Sequence, residues 1–297
     1  MTSTTHHIYT EDGVRLFAEC WGNPTATPIV LVHGYPDSHT VWTQIAEQLA
    51  LDFYVVTYDV RGAGQSDVPP RVRDYRLEVL AQDLKAVVDQ LLPARGFHLA
   101  AHDWGSIQSW ESVTTPALQG RILSYTSLSG PALDHAGFWL RTKALNDPKT
   151  MLRQLSKSWY IYLFHLPLLA PQLWQHVLGK RWGQIVEKME QVSPLPENPT
   201  QTADGKHGVQ LYRANFIDRV LKPRIRRAHC PVQVVVLKRD AFVDFGLFDE
   251  LSRWVSQLSF HELDAAHWAI LSRPTEVAQL IKQYVRQIEV QRRTSVA

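Results

Sequence analysis

Asp103 follows the apolar run Phe97-His98-Leu99-Ala100-Ala101 and stands in Ala101-His102-Asp103-Trp104-Gly105, a small-x-acid-x-small pattern. Small residues on both sides of a reactive side chain fit a sharp strand-to-helix turn, where backbone segments approach too closely for larger groups. A carboxylate at such a turn sets the chemistry. Attack on a carbonyl would give only an unstable anhydride, whereas attack on a saturated carbon gives an alkyl ester that water can later cleave. The expected substrate therefore carries a displaceable group on an sp³ carbon.

Cleaving that ester requires a base and a group to orient it, and nucleophile turns of this kind are followed in chain order by an acid and then a His. Val232–Leu237 reads as a strand, Asp240 follows it, and His267 follows the strand-like Leu258–Leu263. Asp244 is the second candidate for the acid, farther from the strand end. A lone loop Asp ordinarily caps a turn and a lone His is ordinarily a satisfied surface group; here the three-part order gives both weight. Neutral His267 would deprotonate water while Asp240 holds its other nitrogen. In the loop His33-Gly34-Tyr35-Pro36-Asp37-Ser38, the backbone N–H of Tyr35 could join that of Trp104 in an oxyanion hole for the ester oxygen as it becomes tetrahedral. A cis peptide is expected before Pro36. The helix that Asp103 opens, starting near Gly105, favours the ionised carboxylate.

These residues need a scaffold that brings strand ends together. Ile29-Val30-Leu31-Val32 is a continuous apolar run of the kind buried on both faces of a parallel sheet, and residues 53–58, 97–101, 122–128 and 232–237 repeat it. Helical patterns lie between, through Trp42, Ile45 and Leu49, and through Leu77, Leu80, Leu84, Val87, Val88 and Leu91. The expected fold class is α/β, with a mostly parallel central sheet flanked by helices. Residues 13–20 look like its edge strand, and His6 and His7 like part of a frayed end. The alternation stops at Gly130-Pro131; residues 131–228 are aromatic, Pro-punctuated and helical in pattern, and residues 229–297 resume the core and end in a helix through Val277, Leu280, Ile281 and Val285. The expected organisation is a core of residues 1–130 and 229–297 with an inserted helical cap over 131–228. Residues 291–297 read as a disordered polar tail.

Bulk properties narrow the function classes. Thirty-one Lys and Arg against 29 acidic residues argue against a nucleic-acid partner, and the basic stretch at 222–227 reads as a solvated connector. Cys20 and Cys230 give no disulfide framework and suit a reducing compartment. The first residues lack an apolar signal region, so a cytoplasmic location is expected. The apolar stretch at 159–174 is too short to span a bilayer and contains Pro167 and Pro171, which suits a hydrophobic lid. Its aromatic content leaves room for weak peripheral lipid contact, and a homodimer is compatible with the sequence. A metal site at His98, His102 and Asp103 is not expected, since the i, i+4 spacing suits a helix and His98 lies in a strand.

His33-Gly34-Tyr35-Pro36, Arg61-Gly62-Ala63-Gly64-Gln65-Ser66 and Ala101-His102-Asp103-Trp104-Gly105 together resemble the epoxide hydrolase branch of the α/β-hydrolase superfamily, over nearly the whole chain. The chain also resembles the hydrolase portion of bacterial proteins in which such a domain is fused to a short-chain dehydrogenase, although no dinucleotide fingerprint occurs here. The resemblance implies two cap tyrosines that bind and protonate the epoxide oxygen. Tyr160, in Trp159-Tyr160-Ile161-Tyr162-Leu163-Phe164, matches the first motif, with Tyr162 as the fallback; Tyr212, in Leu211-Tyr212-Arg213-Ala214-Asn215-Phe216, matches the second. A phenol with an ordinary pKa of ~10 stays protonated at neutral pH and can donate to a developing alkoxide. His165 and His39 depart from the family pattern, which bears on pocket shape. The implied substrates are a small hydrophobic epoxide and water, with no metal or organic cofactor. Haloalkane dehalogenase chemistry is the nearest alternative, but Tyr35 stands where a halide-binding Asn is typical, and Trp104 where a fluoroacetate-type enzyme has Arg. A non-catalytic binding module is the alternative from another class, and it would not require Asp103, Asp240 and His267 together.

Overall fold

The computed structural model describes residues 2–196 and 198–296. Strands β1 (Ser3–Tyr9), β2 (Arg15–Trp21), β3 (Pro28–Val32), β4 (Tyr54–Tyr58), β5 (Phe97–His102), β6 (Ile122–Leu128), β7 (Val232–Leu237) and β8 (Leu258–Leu263) form one sheet in the order β1-β2-β4-β3-β5-β6-β7-β8. β2 runs antiparallel to both of its neighbours, β1 and β4, and all other pairings are parallel. Every residue of β3, β4, β5 and β7 is buried, which is why those strands read as continuous apolar runs rather than alternations.

Helices cover both faces. α1 (Thr43–Leu49) and α11 (Pro274–Val296) pack on one side through Ile45, Leu49, Val277 and Ile281. α2 (Leu77–Leu91) and α3 (Trp104–Val113) pack on the other, with Leu80, Leu84 and Val88 of α2 one helical turn apart on its buried face. Between β6 and β7 come α4 (Leu133–Asn146), α5 (Pro148–Lys157), α6 (Trp159–Phe164), α7 (Leu169–Leu173), α8 (Gly179–Glu190) and α9 (Gln201–Leu221), with no strand among the described residues. α10 (Ala269–Ser272) follows β8. No helix among the described residues is long and apolar enough to cross a membrane.

Three expectations are corrected. The edge strand is β1, containing His6 and His7, and β2 pairs on both sides; β1 is polar and mostly solvated, so its sequence carried no burial signal. Residues 291–296 continue α11 instead of forming a disordered tail, and Ala297 lies outside the described residues. The basic stretch at 222–227 is not merely solvated. Arg224 and Arg226 join Arg219 of α9 in ion pairs with Asp134 of α4 and Glu111 of α3. Glu111 and Asp134 are buried, and such carboxylates need this many partners to stay charged.

Candidate active site

The carboxyl ends of parallel strands are where open α/β sheets bind ligands, because the connecting loops diverge there and leave a crevice. Tyr35 follows β3, Asp103 follows β5, Ser129 follows β6, Asp240 follows β7 and His267 follows β8, so chain segments distant in sequence converge on one edge. Asp103 occupies φ 51, ψ −124, a region disfavoured for any residue with a Cβ. Close packing holds it there. A Cβ on Gly34 would lie 2.5 Å from Asp103 Cβ, and one on Gly105 would lie 2.3 Å from the Val32 carbonyl.

Tyr35 N–H donates to Asp103 Oδ1 at 2.7 Å, and His267 Nε2 faces Asp103 Oδ2 at 3.5 Å. His267 Nδ1 lies 3.2 and 3.1 Å from the two oxygens of Asp240. Asp240 Oδ1 also accepts from the N–H groups of Phe242 and Val243 at 2.7 and 3.0 Å. Burial works against an imidazolium, but the Asp240 carboxylate, with Asp103 beside the other nitrogen, outweighs it and carries His267 up to about 10. Burial likewise opposes the Asp240 carboxylate, and His267 and Ser129 outweigh it and hold Asp240 below the ordinary range. Asp244 is turned away: it caps the Gly246 N–H and pairs with Arg153 and Lys157. Trp104 opens α3, and its N–H belongs to the first turn, which has no intrahelical acceptor.

Asp103, Trp104, Tyr160 and Tyr212 line one cavity of about 480 Å³, whose remaining walls are mostly apolar. Tyr160 and Tyr212 meet edge to face with ring centroids 5.9 Å apart, and Tyr212 packs on Trp104 at 4.8 Å. Burial and the nearby Asp103 charge push the Tyr160 phenol well up; burial, Tyr160 and Asp103 do the same to Tyr212. Tyr162 lines the outer part of this cavity and is 68% exposed. His165 lines it too, whereas His39 does not: it is buried against Asp59 and Glu19. The Tyr35–Pro36 peptide is cis.

Sequence reasoning missed three contributors. Ser129, at φ 53, donates to Asp240 Oδ2 and lies 2.9 Å from His267 Nδ1. His102 Nε2 donates to the His267 carbonyl at 2.8 Å; burial and the His267 cation push His102 down to about 4. Glu190 of α8 accepts the N–H of Trp268 at 2.7 Å. Only Ser129 left a trace in the sequence, as the polar residue before Gly130-Pro131 at a strand end. His98 and His102 do not converge: His98 Nδ1 bonds Ser124 instead.

A family model described as alpha/beta hydrolase fold matches residues 27–274. The chain is 33% identical to a Mycobacterium tuberculosis protein named probable oxidoreductase EphD, over 92% of this chain and 48% of that protein. It therefore spans about half the length of the first curated relatives it matches. Epoxide hydrolase 3 of Xenopus tropicalis is 25% identical over 97% of this chain and 80% of its own length. In fold, an inhibitor complex of Bacillus megaterium epoxide hydrolase is similar with a TM-score of 0.78 at 21% identity, covering 95% of this chain and all of that one. The family model spans β3 to β8 and the turn that carries Asp103, and the chain belongs to the alpha/beta hydrolase fold family.

Proposed function

We propose that this protein opens epoxides to vicinal diols through an ester formed on Asp103. The observation that carries the reading is that two phenols, Tyr160 and Tyr212, line the same cavity as the Asp103 carboxylate. Relatives named epoxide hydrolases support it. Residues 131–228 act as a cap over the core of residues 1–130 and 229–297, and the apolar walls select a hydrophobic substrate.

An Asp103 oxygen attacks one ring carbon, the C–O bond breaks, and its electron pair goes to the epoxide oxygen, which takes a proton from Tyr160 or Tyr212. Esterification removes the charge that faced His267, so the imidazolium becomes acidic enough to return a proton to the phenolate. His267 is thereby a base only once the ester exists. It then takes a proton from water, and the hydroxide adds to the Asp103 carbonyl carbon. The N–H groups of Tyr35 and Trp104 hold the oxyanion. Collapse expels the diol alkoxide, which takes the proton of the regenerated carboxyl group, leaving Asp103 ionised and His267 protonated as at the start.

Dehalogenation by the same carboxylate would need a halide-binding side-chain donor at the Tyr35 position. The Tyr35 hydroxyl donates instead to the Gly205 carbonyl at 2.8 Å, away from Asp103. The test is His267→Gln with an epoxide that the wild type converts to diol. The variant should retain alkylation and accumulate an adduct on the Asp103 peptide, read by intact-protein and peptide mass spectrometry. Diol formation by the wild type without any adduct in the variant overturns the reading.

A further inference from the structure

The peptide unit joining His267 to Trp268 is held at both of its polar atoms. Its carbonyl accepts from His102 Nε2 at 2.8 Å, and its N–H donates to Glu190 Oε1 at 2.7 Å. The second Glu190 oxygen accepts from Ser272 Oγ at 2.6 Å. Glu190 is 7% exposed and is the last residue of α8, a helix of the insertion, while every other member of this set belongs to the core. A hydrogen bond to a carboxylate is shorter and about twice as strong as a neutral one, and the two bonds on one amide polarise each other in the same sense. The His267 ring hangs from this backbone by two rotatable bonds, Cα–Cβ and Cβ–Cγ, and its Nδ1 is tethered to Asp240 and Ser129, so the seat of the peptide sets the point from which Nε2 reaches Asp103. The Trp268 side chain adds a third restraint, with Nε1 donating to Asp37 Oδ2 at 3.0 Å.

We propose that Glu190 is a positioning residue for His267: the insertion reaches across to the core and locks the peptide that aims the imidazole at the Asp103 ester. The proposal rests on the reading of an Asp103 ester resolved by His267, and it adds that hydrolysis depends on α8 being seated. Alkylation by Asp103 uses the carboxylate, held by Tyr35 N–H, and the two phenols. Ester hydrolysis uses His267 to remove a proton from water, so a misaimed ring slows the second step selectively. Misplacing a group by about 1 Å from a distance can cost on the order of 100-fold.

The experiment follows alkyl-enzyme formation and decay by rapid-quench mass spectrometry with 1,2-epoxyoctane, in the wild type, Glu190→Leu, Glu190→Gln and Ser272→Ala. Glu190→Leu should slow hydrolysis by roughly 10- to 100-fold while alkylation stays within about threefold, so adduct accumulates. Glu190→Gln keeps an oxygen acceptor for Trp268 N–H and should restore hydrolysis. Ser272→Ala, which removes the donor to the second Glu190 oxygen, should give a smaller fall in the same step. Parallel loss of both steps, unaffected hydrolysis in Glu190→Leu, or failure of Gln to rescue overturns the positioning role. Absence of any adduct or diol with the wild type overturns the epoxide reading instead. Positioning is then read without turnover from the His267 imidazole titration by NMR: Glu190→Leu should lower it as the ring leaves its two carboxylates, and an unchanged titration overturns the proposal.

Discussion

His267 Nε2 stands 3.5 Å from Asp103 Oδ2, with Asp240 on the other side of the ring, so an imidazolium is sandwiched between two carboxylates. The pair is electrostatically matched before any substrate arrives. Asp103→Asn mimics the charge of the ester and should lower the His267 titration by about 1 to 3 pH units, the usual effect of one opposite charge at this range. NMR of the imidazole in the variant and the wild type measures this. An unshifted titration would mean that esterification does not release the base.

The same group sets a pH dependence of stability. The His267 pKa is raised from an ordinary 6.5 to about 10 on folding, so its protonation stabilises the fold fully below the unfolded value. That contribution shrinks as pH rises above 6.5 and is lost as pH passes through about 10. Urea denaturation at pH 7 and pH 10 should give a lower midpoint at the higher pH, and His267→Gln should reduce the difference.

Tyr160 and Tyr212 are expected to share the donor role. Replacing both with Phe should cost about 3 to 4 kcal/mol of transition-state stabilisation, the loss seen when an oxyanion donor is removed. Single variants should lose less, because one phenol remains. Steady-state kinetics on one epoxide decides it, and normal turnover in the double variant would remove both tyrosines from the chemistry. Both phenols are held protonated beyond the ordinary range, so no loss of activity from phenol ionisation should appear near pH 10.

The cavity continues from Asp103 along α9, lined by Tyr212, Phe216, Ile217, Val220 and Leu221, and along α4, lined by Leu133, Ala136 and Leu140. In a series of 1,2-epoxyalkanes, each methylene buried is worth about 0.8 kcal/mol, so kcat/KM should climb up to about fourfold per carbon until the cavity is filled. Ala136→Phe, which places a ring in the channel, should flatten that dependence while leaving kcat/KM for the shortest epoxide near its wild-type value. A flat series in the wild type would mean that the tail lies elsewhere.

Gly34 packs against the Asp103 carboxylate. Gly34→Ala would put a methyl 2.5 Å from Asp103 Cβ and 2.7 Å from the His102 carbonyl. Relief requires the Tyr35 loop to move, so the variant should lose about 1 to 3 kcal/mol of stability, the range for overpacking. Chemical denaturation checks the stability, and diol production should fall with it.

The sequence by itself determined the buried strands, the turn that presents Asp103, and the order in which Asp240 and His267 follow. Those features are local: a continuous apolar run, a pair of small residues and a position just past a strand end are visible without knowing what lies opposite. It could not reveal β1, because a polar edge strand is specified by its partner β2 rather than by its own pattern. Tertiary structure alone put Asp240 against His267 and Asp244 against Arg153, since both follow β7 and only the direction of each side chain separates them. It alone brought Ser129, His102 and Glu190 to His267, across 138, 165 and, through Trp268, 78 residues of chain. Contacts at such separations depend on the order in which strands are laid side by side, and on how an inserted helix returns to the sheet, neither of which any short stretch of residues encodes.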